Sequence, residues 1–471
     1  MILADDSITY EKIKQLALVI TVVSFLFLVY INQAIVGVML LALILWSLFP
    51  KRFIPSSIII MLILLLLQSS VSIESLIKSV LAAYGTGNIL IVLSGFILAA
   101  AMDRTGLAKR IAIRVVLFFN KKPRYLLLSI AIANLFISSF SPSTTAKAFI
   151  MLPICIGFIE ALNLKKGSLC AAVIILMCMT ANNISSTAFL TATVPNPISA
   201  NYMANAGLKL SWSDWFLMAF PLTVILLIIS WLLLEFMFKP DFKCDKKTLK
   251  NIDEMHKKLG SLKREEKIVA VIFTISLILW IADKYVPFNA ASLTSLVLSA
   301  SLFLPKIGIF KISKITGMLP WDSLFVFAAA MYLAQIVQQT QALTPIVKEL
   351  IGQKNTNLPT YALVLLVLLF GTFIHIIFTT TTVYATIIMP IAIAIANIYS
   401  VPVSLLALPI AFIAPLALIL PINTIPNIIF YSEGYFSIKQ MVIYGIVLSI
   451  ISILLIMFIG IPYWRLIGLI R

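Results

Sequence analysis

Long apolar blocks joined by short polar segments make up most of the chain. Apolar runs fall at 15–31, 34–50, 53–71, 87–102, 168–203, 213–238, 268–284, 289–305, 321–338, 403–431 and 440–464. Most match the ~20 residues that a helix needs to cross a hydrocarbon core ~30 Å thick. Two further apolar regions, 123–163 and 357–397, are each interrupted near the middle by small polar residues. Each is too long for one span and marginal for two. Irregular backbone at membrane depth is tolerated only where protein buries it or water reaches it. Each region therefore predicts a re-entrant helical hairpin that opens on a cavity. The pattern as a whole predicts an all-α polytopic membrane protein with 11 transmembrane helices plus two re-entrant hairpins.

Composition narrows the class. Of 471 residues, 61% are apolar and only 11% charged, where a soluble domain carries about 25% charged residues. A soluble enzyme, a secreted disulfide scaffold and a disordered hub are excluded. The net charge of +17, from 35 Lys+Arg against 18 Asp+Glu, has to be placed before it is interpreted. With the N-terminus in the cytoplasm and each hairpin returning to its own side, 27 of the 35 basic residues lie in cytoplasmic loops and 7 outside. The last, Lys147, lies within a hairpin. This asymmetry follows the positive-inside rule. It predicts a cytoplasmic N-terminus, an outside C-terminus and a cell-membrane location, and it leaves no basic surplus calling for nucleic acid. The polar segment 239–267, with ten basic residues and His256, reads as a cytoplasmic linker between two nearly equal halves. Cys155, Cys170, Cys178 and Cys244 show no metal-ligand spacing, so no metal and no cofactor are expected. The opening MILADDSITYEKIK carries acids and no cleavage box, so no removed signal peptide is expected.

The two halves resemble each other. Ser143-Thr144-Thr145 is followed by Pro153, and Thr380-Thr381-Thr382 by Pro390, at an offset of 237. The flanks KAFIMLPI and YATIIMPI match as well. Downstream, Thr193-Val194-Pro195-Asn196 and Thr424-Ile425-Pro426-Asn427 are offset by 231. Upstream, Gly106-Leu107 and Ala342-Leu343 each open a short amphipathic stretch, offset by 236. The charge count has the first hairpin entering from the cytoplasm and the second from outside, which makes the halves inverted copies. Inverted repeats with paired broken helices belong to secondary transporters, with the substrate held near the midplane where the repeats meet.

The breaks carry the chemistry. At a hairpin tip, helix N-termini leave backbone N–H groups unpaired. Together with hydroxyls they suit a carboxylate, and two facing tips suit a molecule with two carboxylates. Proline at Pro195 and Pro426 enforces a helix break, and the amides of Asn196 and Asn427 are placed to tie the broken helix to the hairpin. Lys147 is costly inside a membrane and reads as a fixed positive charge balancing an anion. His375, just before the second tip, reads either as a packing residue or as a pH-sensitive neighbour of the site. Glu160 reads as a partner for Lys165 or Lys166. No HExxH, GxGxxG, Walker A or nucleophile-elbow pattern occurs, which argues against an enzyme and against an ATP-driven pump.

On these residues the sequence resembles the divalent anion:sodium symporter family, which includes the INDY-type di- and tricarboxylate transporters and the bacterial citrate/succinate exchangers. The resemblance runs nearly end to end. It also covers Leu319-Pro320-Trp321-Asp322 and Gly434-Tyr435-Phe436. The family pattern has a Ser-Asn-Thr triplet at each tip, whereas this chain has Thr144 and Thr381 at the asparagine positions. In sodium-coupled members that asparagine helps to bind sodium and substrate. Lys147 matches a position where exchanger-type members carry arginine, and the position matching a second exchanger charge is Tyr384, which leaves His375 as a candidate. The resemblance implies a homodimer working as an elevator. Its scaffold would be 1–120 and 268–354, and its transport domain 121–238 and 355–471. The stretches near 104–119 and 341–353 would be arms. The implied substrate site is Ser143, Thr144, Thr145, Thr193, Thr380, Thr381, Thr382 and Thr424. The departures favour sodium-independent exchange of C4–C5 dicarboxylates. A sodium-coupled dicarboxylate, tricarboxylate or sulfate symporter is the alternative, and an anion channel a remote one.

Overall fold

A computed structural model describes residues 33–49, 52–68, 87–119, 125–240, 260–282, 288–305, 307–310, 319–351 and 358–470, with scattered positions between 19 and 30 and at 72, 74, 78, 285 and 317. The first apolar run is described only at those scattered positions. Most of the linker, with Cys244 and His256, lies outside the described residues.

All regular structure among the described residues is helical. In chain order the helices are α1 (Ala34–Leu48), α2 (Phe53–Leu66), α3 (Gly87–Thr105), α4 (Leu107–Phe119), α5 (Leu126–Ser138), α6 (Thr144–Ala161), α7 (Leu169–Ser185), α8 (Pro195–Asn205), α9 (Trp212–Phe238) and α10 (Arg264–Ile281). There follow α11 (Phe288–Ala300), α12 (Trp321–Thr340), α13 (Thr344–Ile351), α14 (Thr360–Ile374), α15 (Thr381–Ile398), α16 (Val403–Ile413), α17 (Ile425–Ser432), α18 (Ile438–Leu455) and α19 (Ile461–Leu466). Six described helical segments are long and apolar enough to cross a membrane, or seven if the bent α3–α4 pair counts as one span. That is fewer than the eleven expected from the apolar runs. The runs 168–203 and 403–431 are each divided into two helices by a break, and the first run is scarcely described.

Local chemistry sets the helix ends. Ser168 caps α7, Ser211 and Asp214 form a reciprocal capping box at α9, and Ser437 and Gln440 do the same at α18. Gly106 (φ +80°) takes a left-handed conformation that side chains disfavour. There the chain turns by 75° from α3 into α4.

The helices pack in an order that places the two repeats against each other. α3, α10 and α11 associate, as do α1, α2 and α12. The pair α5–α6 lies beside α7, and the pair α14–α15 beside α16. The helix that follows each break crosses to the other repeat: α8 packs on α15 and α16, and α17 packs on α6 and α7. α12, from the group with α1 and α2, reaches α8 and α15.

One ion pair among the described residues is buried. Arg110 on α4 donates to the Glu266 carboxylate at 2.7 Å, at the start of α10, and to the carbonyls of Gly260 and Ser261. It fixes α4 to the polar entrance of α10, ahead of the apolar run. Burial works to raise the Glu266 carboxyl. Hydrogen bonds and charge from Arg110 and Lys263 outweigh it and hold the group below the usual carboxylate range. A depressed carboxyl contributes stability that is present above its ordinary titration range and lost as pH falls through the depressed value. Arg110→Ala strands a buried carboxylate and is expected to cost about 3–5 kcal/mol. Thermal unfolding in detergent checks this: the variant's Tm falls clearly at neutral pH, and the gap to the parent narrows on acidification.

Candidate functional site

The two triplets come together. Ser143 sits before α6 with extended backbone and its hydroxyl accepts from the Ala146 amide at 3.2 Å. Thr380 does the same before α15, accepting from the Val383 amide at 3.3 Å. Each polar triplet thus begins with the cap of a long apolar helix, which is why a small hydroxyl residue opens it. Ser143, Thr144, Thr145, Thr193, Thr380, Thr381, Thr382 and Thr424 all line one cavity of about 120 Å³. Among the described residues its lining contains no charged side chain. The first turns of α6 and α15 border it, so unpaired amides and the positive ends of two helix dipoles face inward. Beside it, sharing Phe96 and Ser143, lies a wider cavity of about 550 Å³ with Asp103 and Arg104 in its wall.

The breaks are closed by asparagine. Asn196 donates to the carbonyls of Ser186 (2.7 Å) and Phe189 (2.8 Å). Asn427 donates to those of Ala417 (2.7 Å) and Leu420 (3.3 Å). The two acceptor pairs are related by the same 231-residue offset as the asparagines, so the repeat extends to individual hydrogen bonds. Pro195 and Pro426 occupy the first turns of α8 and α17. The expectation that Asn196 and Asn427 tie the helix pairs to the broken helices is corrected: each spans its own break. The ties to the helix pairs come from residues the sequence reading passed over. Asn182 donates to the Thr144 carbonyl at 3.0 Å. Asn423 donates to the carbonyls of His375, Ile376 and Phe378 at 2.9–3.1 Å. Asn183 joins the two breaks, donating to the Asn427 side-chain oxygen at 2.9 Å. The only sequence signal for these was an asparagine inside an otherwise apolar run.

Lys147 is completely buried and does not line the cavity. Its ammonium lies behind the first tip and donates to Ser138 Oγ (2.8 Å), Ser186 Oγ (2.5 Å) and the Asn182 carbonyl (3.4 Å). Three acceptors match its three donors. At the 237-residue offset, Ser138 corresponds to His375 and Lys147 to Tyr384. Those two rings stack with centroids 4.3 Å apart. His375 Nε2 donates to the Ala414 carbonyl at 3.1 Å, and Tyr384 donates to the Gly371 carbonyl at 2.9 Å. The second half thus fills with aromatic stacking the position that an ammonium and hydroxyls fill in the first. Lys166 lies over the Tyr435 ring at 5.3 Å.

A chain whose described residues form only helices, with broken helices repeated around a hydroxyl-lined cavity, is a multi-pass membrane protein of the transporter class. The model of the sodium:sulfate symporter transmembrane region matches residues 12–470. The chain belongs to this family, the divalent anion:sodium symporters. Among curated proteins it is similar to the sodium-dependent dicarboxylate transporter SdcS of Staphylococcus saprophyticus, 30% identical over 82% of this chain and 78% of the relative. The protein of the same name from Staphylococcus aureus is 30% identical over 80% and 76%. Among solved structures, the fold is similar to the Alcanivorax borkumensis YdaH transporter, with TM-score 0.54, 12% identity, and coverage of 84% of this chain and 90% of that one. It is also similar to Neisseria gonorrhoeae MtrF, with TM-score 0.52, 15% identity, and coverage of 81% and 82%.

Asn423→Ala leaves three buried carbonyls around the second tip without their shared donor. The expected loss is about 1–3 kcal/mol, read as a lower Tm in detergent, whereas the same change at the exposed Asn397 is expected to leave Tm nearly unchanged.

Proposed function

We propose that the protein is a secondary transporter of C4–C5 dicarboxylates such as malate, succinate, fumarate or 2-oxoglutarate, coupled to sodium. The observation that carries the substrate is the cavity. It is uncharged, and hydroxyls of matched triplets line it at the N-termini of two helices from different repeats. Fixed donors of this kind bind an anionic group without a neighbouring cation. Two of them suit a molecule with a carboxylate at each end.

The relatives favour the coupling. Both similar curated proteins are sodium-dependent dicarboxylate transporters, which supports sodium symport over the sodium-independent exchange expected from the altered triplets. Thr144 and Thr381 keep an oxygen where the family pattern has asparagine, so an oxygen ligand for sodium remains at each tip. One observation favours exchange as a second reading. The Lys147 ammonium occupies an all-oxygen shell of Ser138, Ser186 and Asn182. A fixed ammonium there supplies the positive charge that a bound sodium ion would otherwise bring.

In this reading the chain crosses a cell membrane 11 times, with its N-terminus cytoplasmic and C-terminus outside, and α5–α6 and α14–α15 are the two re-entrant hairpins. It acts as a homodimer. Residues 1–120 and 268–354 form the scaffold, 239–267 the linker, and 121–238 and 355–471 the moving transport domain of an elevator. The 75° turn between α3 and α4 supports α4 as a horizontal arm, with α13 as its counterpart. The crossing of α8 and α17 between repeats supports a single transport body.

Purified protein in vesicles tests the coupling. Succinate uptake into empty vesicles is expected to require an inward sodium gradient. Uptake that ignores sodium and requires internal dicarboxylate overturns symport in favour of exchange. Lys147→Thr is expected to reduce transport by at least about tenfold in either mode, because a one-unit charge is removed from a site of low dielectric. Unchanged kinetics would exclude any role for that charge.

A further inference from the structure

The cavity has two unlike walls. The wall described above is made of hydroxyls and helix ends. The facing wall comes from α2, α3 and α12 and consists of Phe53, Phe96 and Val326, with Ser323 its one hydroxyl. Phe96 is almost fully buried. It is also shared with the wider cavity, so it stands where the narrow space opens into the broad one.

We propose that Phe53 and Phe96 determine specificity by admitting an unbranched dicarboxylate and rejecting a tricarboxylate. This rests on the transport reading above and adds to it the residues that select the substrate. A molecule spanning the two tips places its terminal carboxylates on the hydroxyl wall and its methylene chain against the phenyl rings. A third carboxylate on the central carbon points at the opposite wall. There it meets two phenyl rings and a valine, with Ser323 the one hydroxyl and no cation among the described lining residues; Arg104 lines the wider cavity on the other side of Phe96, not this one. An ionised carboxylate removed from water without partners carries a penalty of several kcal/mol. Selectivity here arises from the desolvation of an additional charged group on the wrong substrate.

Competition of citrate against labelled succinate uptake, near neutral pH and under one sodium condition, tests the proposal. In the unmodified protein, excess citrate is expected to leave succinate uptake nearly unchanged. Phe96→Ser, which opens space and supplies a hydroxyl, is expected to improve the citrate-to-succinate ratio of apparent affinities by about tenfold or more. Phe53→Ser, on a different helix, is an independent repeat should the first variant fold poorly. Thermal stabilisation of the unmodified protein by succinate but not by citrate is a third readout that needs no variant. Citrate competing as well as succinate in the unmodified protein overturns the proposal. So does an unchanged ratio in a variant that still takes up succinate. A succinate response combined with an equal citrate response removes only this inference, whereas no dicarboxylate response at all removes the transport reading with it.

Discussion

Everything in this molecule depends on closing broken helices where water is scarce. Each backbone N–H and C=O left open in hydrocarbon costs several kcal/mol, so a chain that interrupts its helices must satisfy the freed groups with its own side chains. Asparagine does this at the two matched breaks and at the two helix-pair tips. Asn196 and Asn427 each bridge two carbonyls across a gap, Asn423 gathers three carbonyls at the second tip, and Asn182 holds the first tip through Thr144. Asn183 then links one break to the other. A carboxamide suits this work because it carries two donors and an acceptor without a charge to desolvate.

The same economy shapes the site. Closing the carbonyl ends leaves the amide ends of α6 and α15 free to face the cavity, capped only by Ser143 and Thr380. The described lining of the resulting space contains hydroxyls and helix ends but no cationic side chain. Lys147, the one buried lysine among the described residues, does not line it; its side-chain nitrogen is engaged by Ser138, Ser186 and Asn182.

Much of this was legible in the chain. Spans and polar joints showed as apolar blocks because lipid demands continuous apolar helices. The repeat showed because both copies need a hydroxyl cap, a helix-starting proline and an asparagine at the same spacing. The eight hydroxyl residues singled out from the triplets and the Thr-x-Pro-Asn elements all lie around one cavity. The asparagine contacts were less legible. The sequence marked Asn196 and Asn427 but not which carbonyls they reach, and it gave Asn182, Asn183 and Asn423 no pattern of their own. The apolar runs also did not show how far each helix extends: among the described residues six helical segments, or seven with the bent α3–α4 pair, are individually long enough to span.

What the sequence determined by itself was class and symmetry: a lipid-dissolved helical chain in two copies, with polar breaks at matching places. Both follow from the local rules of helix length, capping and charge. The tertiary structure decided which groups share the cavity. Lys147 lies two residues past the first triplet in the chain but behind the cavity in space. Phe53 and Phe96 carry no motif and are distant in sequence from both triplets, yet they form the wall opposite them. Facing walls are set by how helices from different parts of the chain pack, and no local pattern records that.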